Sequence, residues 1–353
     1  MRLPVSPAIG MALGAAALFG ASTPLAKIML GQISPWMLAG LLYLGAGFGL
    51  AVLRFSMRWS GKAPAEAPLR RADLGWLAAV VLSGGVAGPL LLMLGLQYSA
   101  GAEAALLLNL ESVLTLGLAW LVFRENADIR IGIGAAAIIA GAVLLSWSMP
   151  VGASGPGVML IAAACLCWAI DNNLSRRLSA ADPLQIAMIK GLVAGSINFG
   201  LALSSGASVP AAMPLAASLA IGLFGYGISL VLFMLSLRHL GTARTGAYFS
   251  LAPFIGAALA VALLGEPLEW RLLAAGVLMG LGLYLHLAER HSHEHRHEAA
   301  AHDHAHVHDE HHQHGHAPDD PPGEPHVHAH RHGTLVHAHP HYPDIHHRHD
   351  HMG

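Results

Sequence analysis

Long apolar runs separated by connections of a few residues fill the chain from residue 8 to residue 288. They fall at 8–30, 36–53, 74–96, 103–123, 131–149, 157–175, 184–204, 215–237, 246–264 and 271–288. Most approach the roughly 20 residues that a helix needs to cross a hydrocarbon core. Almost no polar face interrupts them, whereas a helix on the surface of a soluble protein carries a polar stripe. Backbone in lipid must satisfy its own hydrogen bonds, so the pattern predicts ten membrane-crossing helices and an all-α integral membrane fold. The first run continues through Pro24 to Leu30, longer than the apolar stretch of a signal peptide, and reads as a retained helix.

Composition sharpens this picture. Apolar residues make up 54% of the chain and charged residues only 11%, against about 25% charged in soluble domains. The 353 residues also divide into two different polymers. Up to Arg290 there are 16 Lys and Arg against 11 Asp and Glu; from His291 to Gly353 there are 3 basic and 10 acidic residues and 23 of the 25 histidines. A strongly basic nucleic-acid surface is excluded, and two cysteines cannot build a disulfide scaffold. Placing both termini in the cytoplasm puts thirteen Lys and Arg in or beside inner loops and one, Arg271, outside. That asymmetry follows the positive-inside rule and favours an even number of crossings.

The sequence repeats. Leu96 to Trp147 aligns with Leu237 to the end of the tenth run at a constant offset of 141, with Glu125 on Glu266, Arg130 on Arg271, Gly141 on Gly282 and Asp128 on Glu269. A weaker match at offset 148 sets Phe19-Gly20-Ala21 on Cys167-Trp168-Ala169. Five helices per half is an odd number, so the second half must insert upside down. Inverted repeats are an architecture of secondary transporters, which hold substrate near the midplane between halves. The expected division is a first five-helix repeat over 1–149, a second over 150–290 and a tail over 291–353.

A fourth run followed by Phe123-Arg124-Glu125, a ninth followed by Leu264-Gly265-Glu266-Pro267, and the Cys167-Trp168-Ala169 stretch carry a family resemblance. Over residues 8–288 the chain resembles the EamA-type members of the drug/metabolite transporter superfamily. The resemblance implies a ten-helix inner-membrane carrier, usually an exporter of small solutes, and leaves the substrate open. The halves differ at one place: the ninth run carries Pro253 where the fourth has Ser112, preceded by Glu111.

Ionisable side chains inside membrane helices are costly and usually face a cavity or a partner. Glu111, mid-way along the fourth run, is the foremost candidate, as a proton acceptor or a partner for substrate charge. Asp171 stands beside Asn172 and Asn173 in the sixth run, and Lys190 and Asn198 lie in the seventh. Plainer roles compete: pairing of Asp171 with Arg176 or Arg177, and snorkelling of Lys190 to the membrane face. Lys190 and Glu111 come from opposite halves, and a pair between them across a central cavity is one expectation. Tyr43, Tyr98, Tyr226, Tyr248 and Trp168 are candidate cavity-wall aromatics, with lipid-facing or interfacial packing the plainer reading and Trp168 and Tyr248 the better placed of the five; Glu103 reads as interfacial. Gly10/Gly14, Gly45/Gly49, Gly84/Gly88, Gly191/Gly195 and Gly276/Gly280 provide Gly-xxx-Gly spacings. These serve close helix packing first, with a homodimer interface or a sliding gate as the rarer use. Cys165 and Cys167 point apart on a helix and read as apolar filler.

The tail alternates His with small or acidic residues in two blocks, 291–316 and 326–351, around the stretch Pro318 to Pro325. Too few apolar residues are present for a core, so the expectation is disorder. Neutral imidazoles suit Zn, Ni, Co and Cu, which makes His291, His293, His295, His297, His302, His304, His306 and His308 candidate metal ligands. No other cofactor is required. His293-Glu294-His295-Arg296-His297 formally matches a zinc-protease pattern, but a tract this rich in histidine produces the match by composition. No Walker loop is present, and the chain is not read as an enzyme. The leading reading is a secondary transporter, an exporter of a small organic metabolite or drug-like solute, with proton coupling as a hypothesis and a metal-binding cytoplasmic tail. A divalent Zn, Ni or Co exporter is the alternative, and a membrane-anchored metal buffer or sensor the third. The expected partners are the bilayer, a small-molecule substrate, metal ions at the tail and a second copy of the chain; nucleic acid is not among them.

Overall fold

In the computed structural model, the structure describes residues 7–61, 69, 71–123, 129–146, 155–175, 178, 182–287, 291–297, 301–306, 326–331 and 335–341. Helices follow the apolar runs in order. The first half holds α1 (Pro7–Met29), α2 (Pro35–Trp59), α3 (Leu74–Val80), α4 (Gly88–Tyr98), α5 (Gly101–Leu107), α6 (Leu110–Phe123) and α7 (Ile129–Ser146). The second holds α8 (Gly155–Ser175), α9 (Pro183–Ser204), α10 (Ala212–Gly222), α11 (Ser229–Phe249), α12 (Ala252–Leu264) and α13 (Trp270–Leu287). Eight stretches are long and apolar enough to cross a membrane, and Gly132–Ser146 and Trp270–Leu285 are shorter apolar helices.

Local chemistry sets the ends. Pro35 and Pro183 each open a helix at the position where the missing N–H costs nothing. The Asp182 carboxylate caps α9 by accepting from the N–H groups of Leu184 (2.9 Å) and Gln185 (3.2 Å), and the same carboxylate pairs with Arg54 at the end of α2. Gly265 ends α12 with φ +64°, a conformation that favours glycine.

Two features depart from ten unbroken helices. First, α3 passes into α4 through a π-helical turn at Val81–Ala87, and α10 passes into α11 through another at Leu223–Ile228. Gly84 and Gly225, inside these turns, stand 141 positions apart, so the turns sit at equivalent places in the two halves. Second, the fourth run is not one helix. It breaks at Leu108–Asn109, where the Asn109 side chain donates to the Leu106 carbonyl at 2.8 Å and competes with the helical ladder. Ser250, 141 positions on, sits in the matching break between α11 and α12. The expected loop before the ninth run is displaced accordingly, because α11 continues to Phe249.

The halves interleave rather than stand side by side. Helix α1 packs on α11 and α12 of the second half, while α8 packs on α4 and α6 of the first. Helices α2 and α9, α5 and α12, and α7 and α13 pair directly across the seam. The larger of two cores draws Leu38, Leu96 and Leu107 together with Ala164, Ala257 and Met279, and a smaller one joins Tyr43, Leu77, Val80 and Val81 to Leu178 and Ala194.

Small residues permit this approach. A Cβ on Gly191 would lie 2.7 Å from the Gly47 backbone on α2, and one on Gly195 would lie 2.6 Å from the Leu44 nitrogen. Gly45 and Gly49 face α10 and the following turn, and Gly84 and Gly88 face α8. Gly10/Gly14 and Gly276/Gly280 make only ordinary contacts or none, so three of the five spacings serve close packing within the chain.

The turn after α12 reaches back to α5. Glu266 accepts from the Gly101 N–H at 2.6 Å and the Ala102 N–H at 2.8 Å, satisfying two of the donors that a helix start leaves open. This gives the Gly265-Glu266-Pro267 motif a physical task. Glu266→Ala is expected to lower stability by about 1–2 kcal/mol, read as a lower melting temperature of the purified protein, with Glu266→Gln recovering part of the loss. Glu125, its repeat partner, lies outside the described residues.

Among the described residues of the tail, four short strands stand where composition alone led to an expectation of disorder. Strand β1 (His291–His297) pairs antiparallel with β4 (Leu335–His341), and β2 (Ala301–His306) with β3 (His326–Arg331). The period-two alternation of His with other residues, which a compositional argument ignores, is the period of a strand. In register, His291, His293 and His295 stand opposite His341, His339 and His337, and His302, His304 and His306 opposite His330, His328 and His326.

Candidate functional site

Helix α8 organises the polar groups of the membrane region. Successive residues on it are turned by about 100°, so it presents two adjacent polar stripes. Cys165 and Asn172 lie on the stripe facing α5 and α6; Trp168, Asp171 and Ser175 lie on the stripe facing the third run and α9.

On the first stripe, the Asn172 amide donates to Glu111 Oε1 at 2.8 Å and reaches Thr115 Oγ1 at 3.5 Å. Glu111 and Thr115 are four residues apart and share one face of α6. Asn173 donates to the Thr115 carbonyl at 3.2 Å and to the Ala169 carbonyl at 2.9 Å. Because of the break at Leu108–Asn109, Glu111 occupies the first turn of α6, where the helix dipole favours a negative charge. Its side chain is half-buried and that of Asn172 exposed, so this polar group is accessible although its helices are apolar. Cys165, buried and free of disulfide, directs its thiol at the Leu107 carbonyl, 3.8 Å away beside the same break.

On the second stripe, Asp171 Oδ2 forms an ion pair with Lys190 of α9, and Oδ1 accepts from the Ser175 hydroxyl at 3.1 Å. The side chains are 7% and 19% exposed. Trp168 Nε1 and the Tyr43 hydroxyl both donate to the Gly84 carbonyl, at 3.0 and 2.8 Å. The π-helical turn thereby anchors α2 and α8 on one backbone oxygen. Tyr43 packs against Tyr226 with ring centroids 5.6 Å apart and the rings tilted by 40°, and Tyr226 meets Phe19 edge-on at 5.8 Å. Asn198 of α9 is buried and donates to the Val86 carbonyl at 3.2 Å, fastening α9 to the same turn.

The structure therefore gathers Glu111, Asn172, Asp171, Lys190 and Trp168 around α8, but with different partners from those expected. The anticipated Lys190–Glu111 pair is replaced by Lys190–Asp171, because Asp171 faces α9 while Asn172, one residue on, faces α6. Lys190 accordingly does not snorkel. Arg176 and Arg177, the alternative partners of Asp171, lie outside the described residues. Tyr248 is half-buried on α11 near its break and has no place in this cluster among the described residues. The side chains of His291, His293, His295, His297, His302, His304, His306 and His308 also lie outside the described residues. Sequence reasoning missed Thr115, Ser175 and the Gly84 carbonyl. Thr115 and Ser175 carry a signal, each four residues after an acidic candidate; a backbone oxygen carries none.

The EamA-like transporter family model matches residues 6–147 and again residues 155–288, once over each half of this interleaved fold. The chain belongs to the EamA-like transporter family. It is a multi-pass membrane transporter of two-repeat architecture, not an enzyme, and it works in a lipid bilayer on a small-molecule substrate. It is 30% identical over 279 residues to an uncharacterized transporter of Methanothermobacter thermautotrophicus, covering 75% of this chain and 81% of that protein. It is 26% identical over 251 residues to the uncharacterized inner membrane transporter YedA of Escherichia coli K12, covering 69% and 79%. A solved crystal structure shares the fold with a TM-score of 0.58 at 20% identity, over 79% of this chain and 96% of the other.

Proposed function

We propose that this EamA-like protein is a secondary exporter that moves a small organic solute along a path between two oppositely inserted five-helix halves. The path runs beside α8, with ten crossings and both termini in the cytoplasm. Thirteen basic residues against one support the orientation, and the resemblance to EamA-type carriers suggests export. The observation that carries the reading is the accessible Glu111–Asn172–Thr115 group. Polar side chains turned to lipid would be costly; turned to a water-filled path they are solvated and available to cargo. Glu111 is the residue proposed to bind and release a proton during the cycle. In proteoliposomes containing the full chain, flux is expected to vary with pH in the wild type and to lose that dependence in Glu111→Gln. Unchanged pH dependence in the variant would reject the role.

The tail is proposed as an accessory that collects Zn, Ni, Co or Cu ions on the cytoplasmic side. The strand register, which sets histidine opposite histidine at six positions, supports this, since neutral imidazole is a ligand for such ions. The same rows favour a second reading, in which the metal ion is the cargo. Truncation after Arg290 separates the two: transport of an organic solute survives it, and metal export weakens. A buffer or sensor would lose all function on the same truncation.

A further inference from the structure

The tail strands share a register that their composition does not require. In both ladders the numbers of opposed residues add to the same total, and the gap from β1 to β2 is as long as the gap from β3 to β4. The four strands therefore keep the register of a single antiparallel hairpin, with β1 and β4 at its base and β2 and β3 beyond them. Histidines take alternate positions in each strand, and alternate positions share a face. Each ladder thereby sets its rows of opposed histidines on one face. The other face of the first ladder sets Ser292, Glu294 and Arg296 against Pro340, Ala338 and Val336. Each strand packs chiefly on its opposite strand rather than on a helix. A two-stranded ribbon without a hydrophobic face is marginal at best in water. What these ladders do carry is a repeated set of ligand positions. Two adjacent rows place four histidine positions about 5 Å apart across the ladder and about 7 Å apart along it. Four such ligands complete the tetrahedral shell of Zn²⁺.

We propose that the tail is a metal-closed clasp: Zn²⁺ or a similar borderline divalent ion, bound between histidine rows, folds residues 291–341 into this hairpin, and without the ion the strands part. This rests on the reading of the tail as a metal collector and adds what the ion does there. An ion that binds the paired strands and not the parted ones stabilises the pairing by mass action, so metal binding and strand pairing become one event. Register, not histidine count, decides which residues take part. His297 stands opposite Leu335 and completes no row, whereas His291, His293 and His295 each do. Helix α13 ends at Leu287 and β1 begins at His291, so the clasp closes at the end of the last membrane helix. Closure brings residues 335–341 back to that point, and the level of metal is read as the shape of the tail beside the carrier.

The test uses the full chain in detergent, with Cys165→Ala and Cys167→Ala, and nitroxide labels on Ser292→Cys and Pro340→Cys, which stand opposite in the first ladder and outside its histidine rows. A second labelled pair, Asp303→Cys and Ala329→Cys, reports the other ladder. Distances between labels are measured by electron paramagnetic resonance with Zn²⁺, with Mg²⁺ and with a chelator, and bound zinc is counted in parallel. Zn²⁺ is expected to give one short, narrow distance in each pair, and the chelator and Mg²⁺ a long, broad one. His291→Gln/His293→Gln/His295→Gln is expected to raise the Zn²⁺ concentration that closes the first pair about tenfold or more. His311→Gln/His312→Gln/His314→Gln removes as many histidines from outside the strands and is expected to close as the wild type does. Equal effects of the two triple variants would overturn the register argument in favour of chelation by composition. A short distance that persists in the chelator, or closure by Mg²⁺, would overturn the role of the ion. Zinc bound with the distances still broad would overturn the clasp and leave the metal collector intact. No zinc bound by the full chain would remove both.

Discussion

Gly191→Leu is expected to abolish recovery of folded protein. At this point α2 and α9 touch through their backbones. A Cβ on Gly191 would meet the Gly47 Cα and nitrogen at 2.7 Å and the Tyr43 carbonyl oxygen at 2.9 Å. Extra methylenes in a core cost roughly 1–3 kcal/mol where neighbouring side chains can turn aside. Backbone atoms cannot, so the helices must separate. Separation would also undo the contacts at Gly40, Gly47 and Gly195, whose would-be Cβ atoms lie 2.5–2.6 Å from backbone nitrogens of the partner helix. The control lies on the same helix: a Cβ on Gly200 meets nothing within 4 Å, and Gly200→Leu is expected to behave as wild type. Size-exclusion profiles and melting temperatures in detergent decide the matter. Wild-type yield and melting from Gly191→Leu would mean that α2 and α9 do not meet as described.

Lys190→Met is expected to cost about 3–5 kcal/mol, because it strands a buried carboxylate whose remaining partner is a hydroxyl. The pair itself contributes much less, since removing two charges from water offsets most of their attraction. The double variant Asp171→Asn/Lys190→Met should therefore recover most of the stability that the single variant loses. A double-mutant cycle on melting temperature and denaturant midpoint measures this directly. Equal stability of Lys190→Met and wild type would show that Asp171 has another counter-charge. Transport by the double variant is informative as well. If the pair only holds α8 against α9, flux returns with stability; if it also sets the field around Glu111, flux stays low in a protein that folds normally.

Much of this molecule was legible before its structure. The bilayer forces any crossing segment to close its own hydrogen bonds, so length and apolarity alone locate the helices. The offset of 141 announced the two halves, and the π-helical turns at Gly84 and Gly225 and the breaks at Asn109 and Ser250 fall on the same spacing. Glu111 stood out because a carboxylate inside an apolar run is costly enough to require a reason. The partner of Lys190 was not legible. Asp171, Asn172 and Glu111 are all polar groups near apolar segments, and which of them meets Lys190 depends on a rotation of about 100° about the α8 axis. Nor was the break before Glu111, which Asn109 makes through a local hydrogen bond that an apolar window averages away.

Periodicity and transfer from water to lipid set where the apolar helical runs lie, their order, the duplication and the polar residues placed within them, and all of these are readable from one chain of letters. Tertiary packing alone sends α1 and α8 each into the opposite half, joins Tyr43 to Trp168 through the Gly84 carbonyl, and sets Glu111 against the Asn172 amide rather than against Lys190. Those outcomes depend on which helix faces come together, and facing surfaces in lipid are chosen by close packing of small residues, a property of helix pairs that no single run of sequence contains.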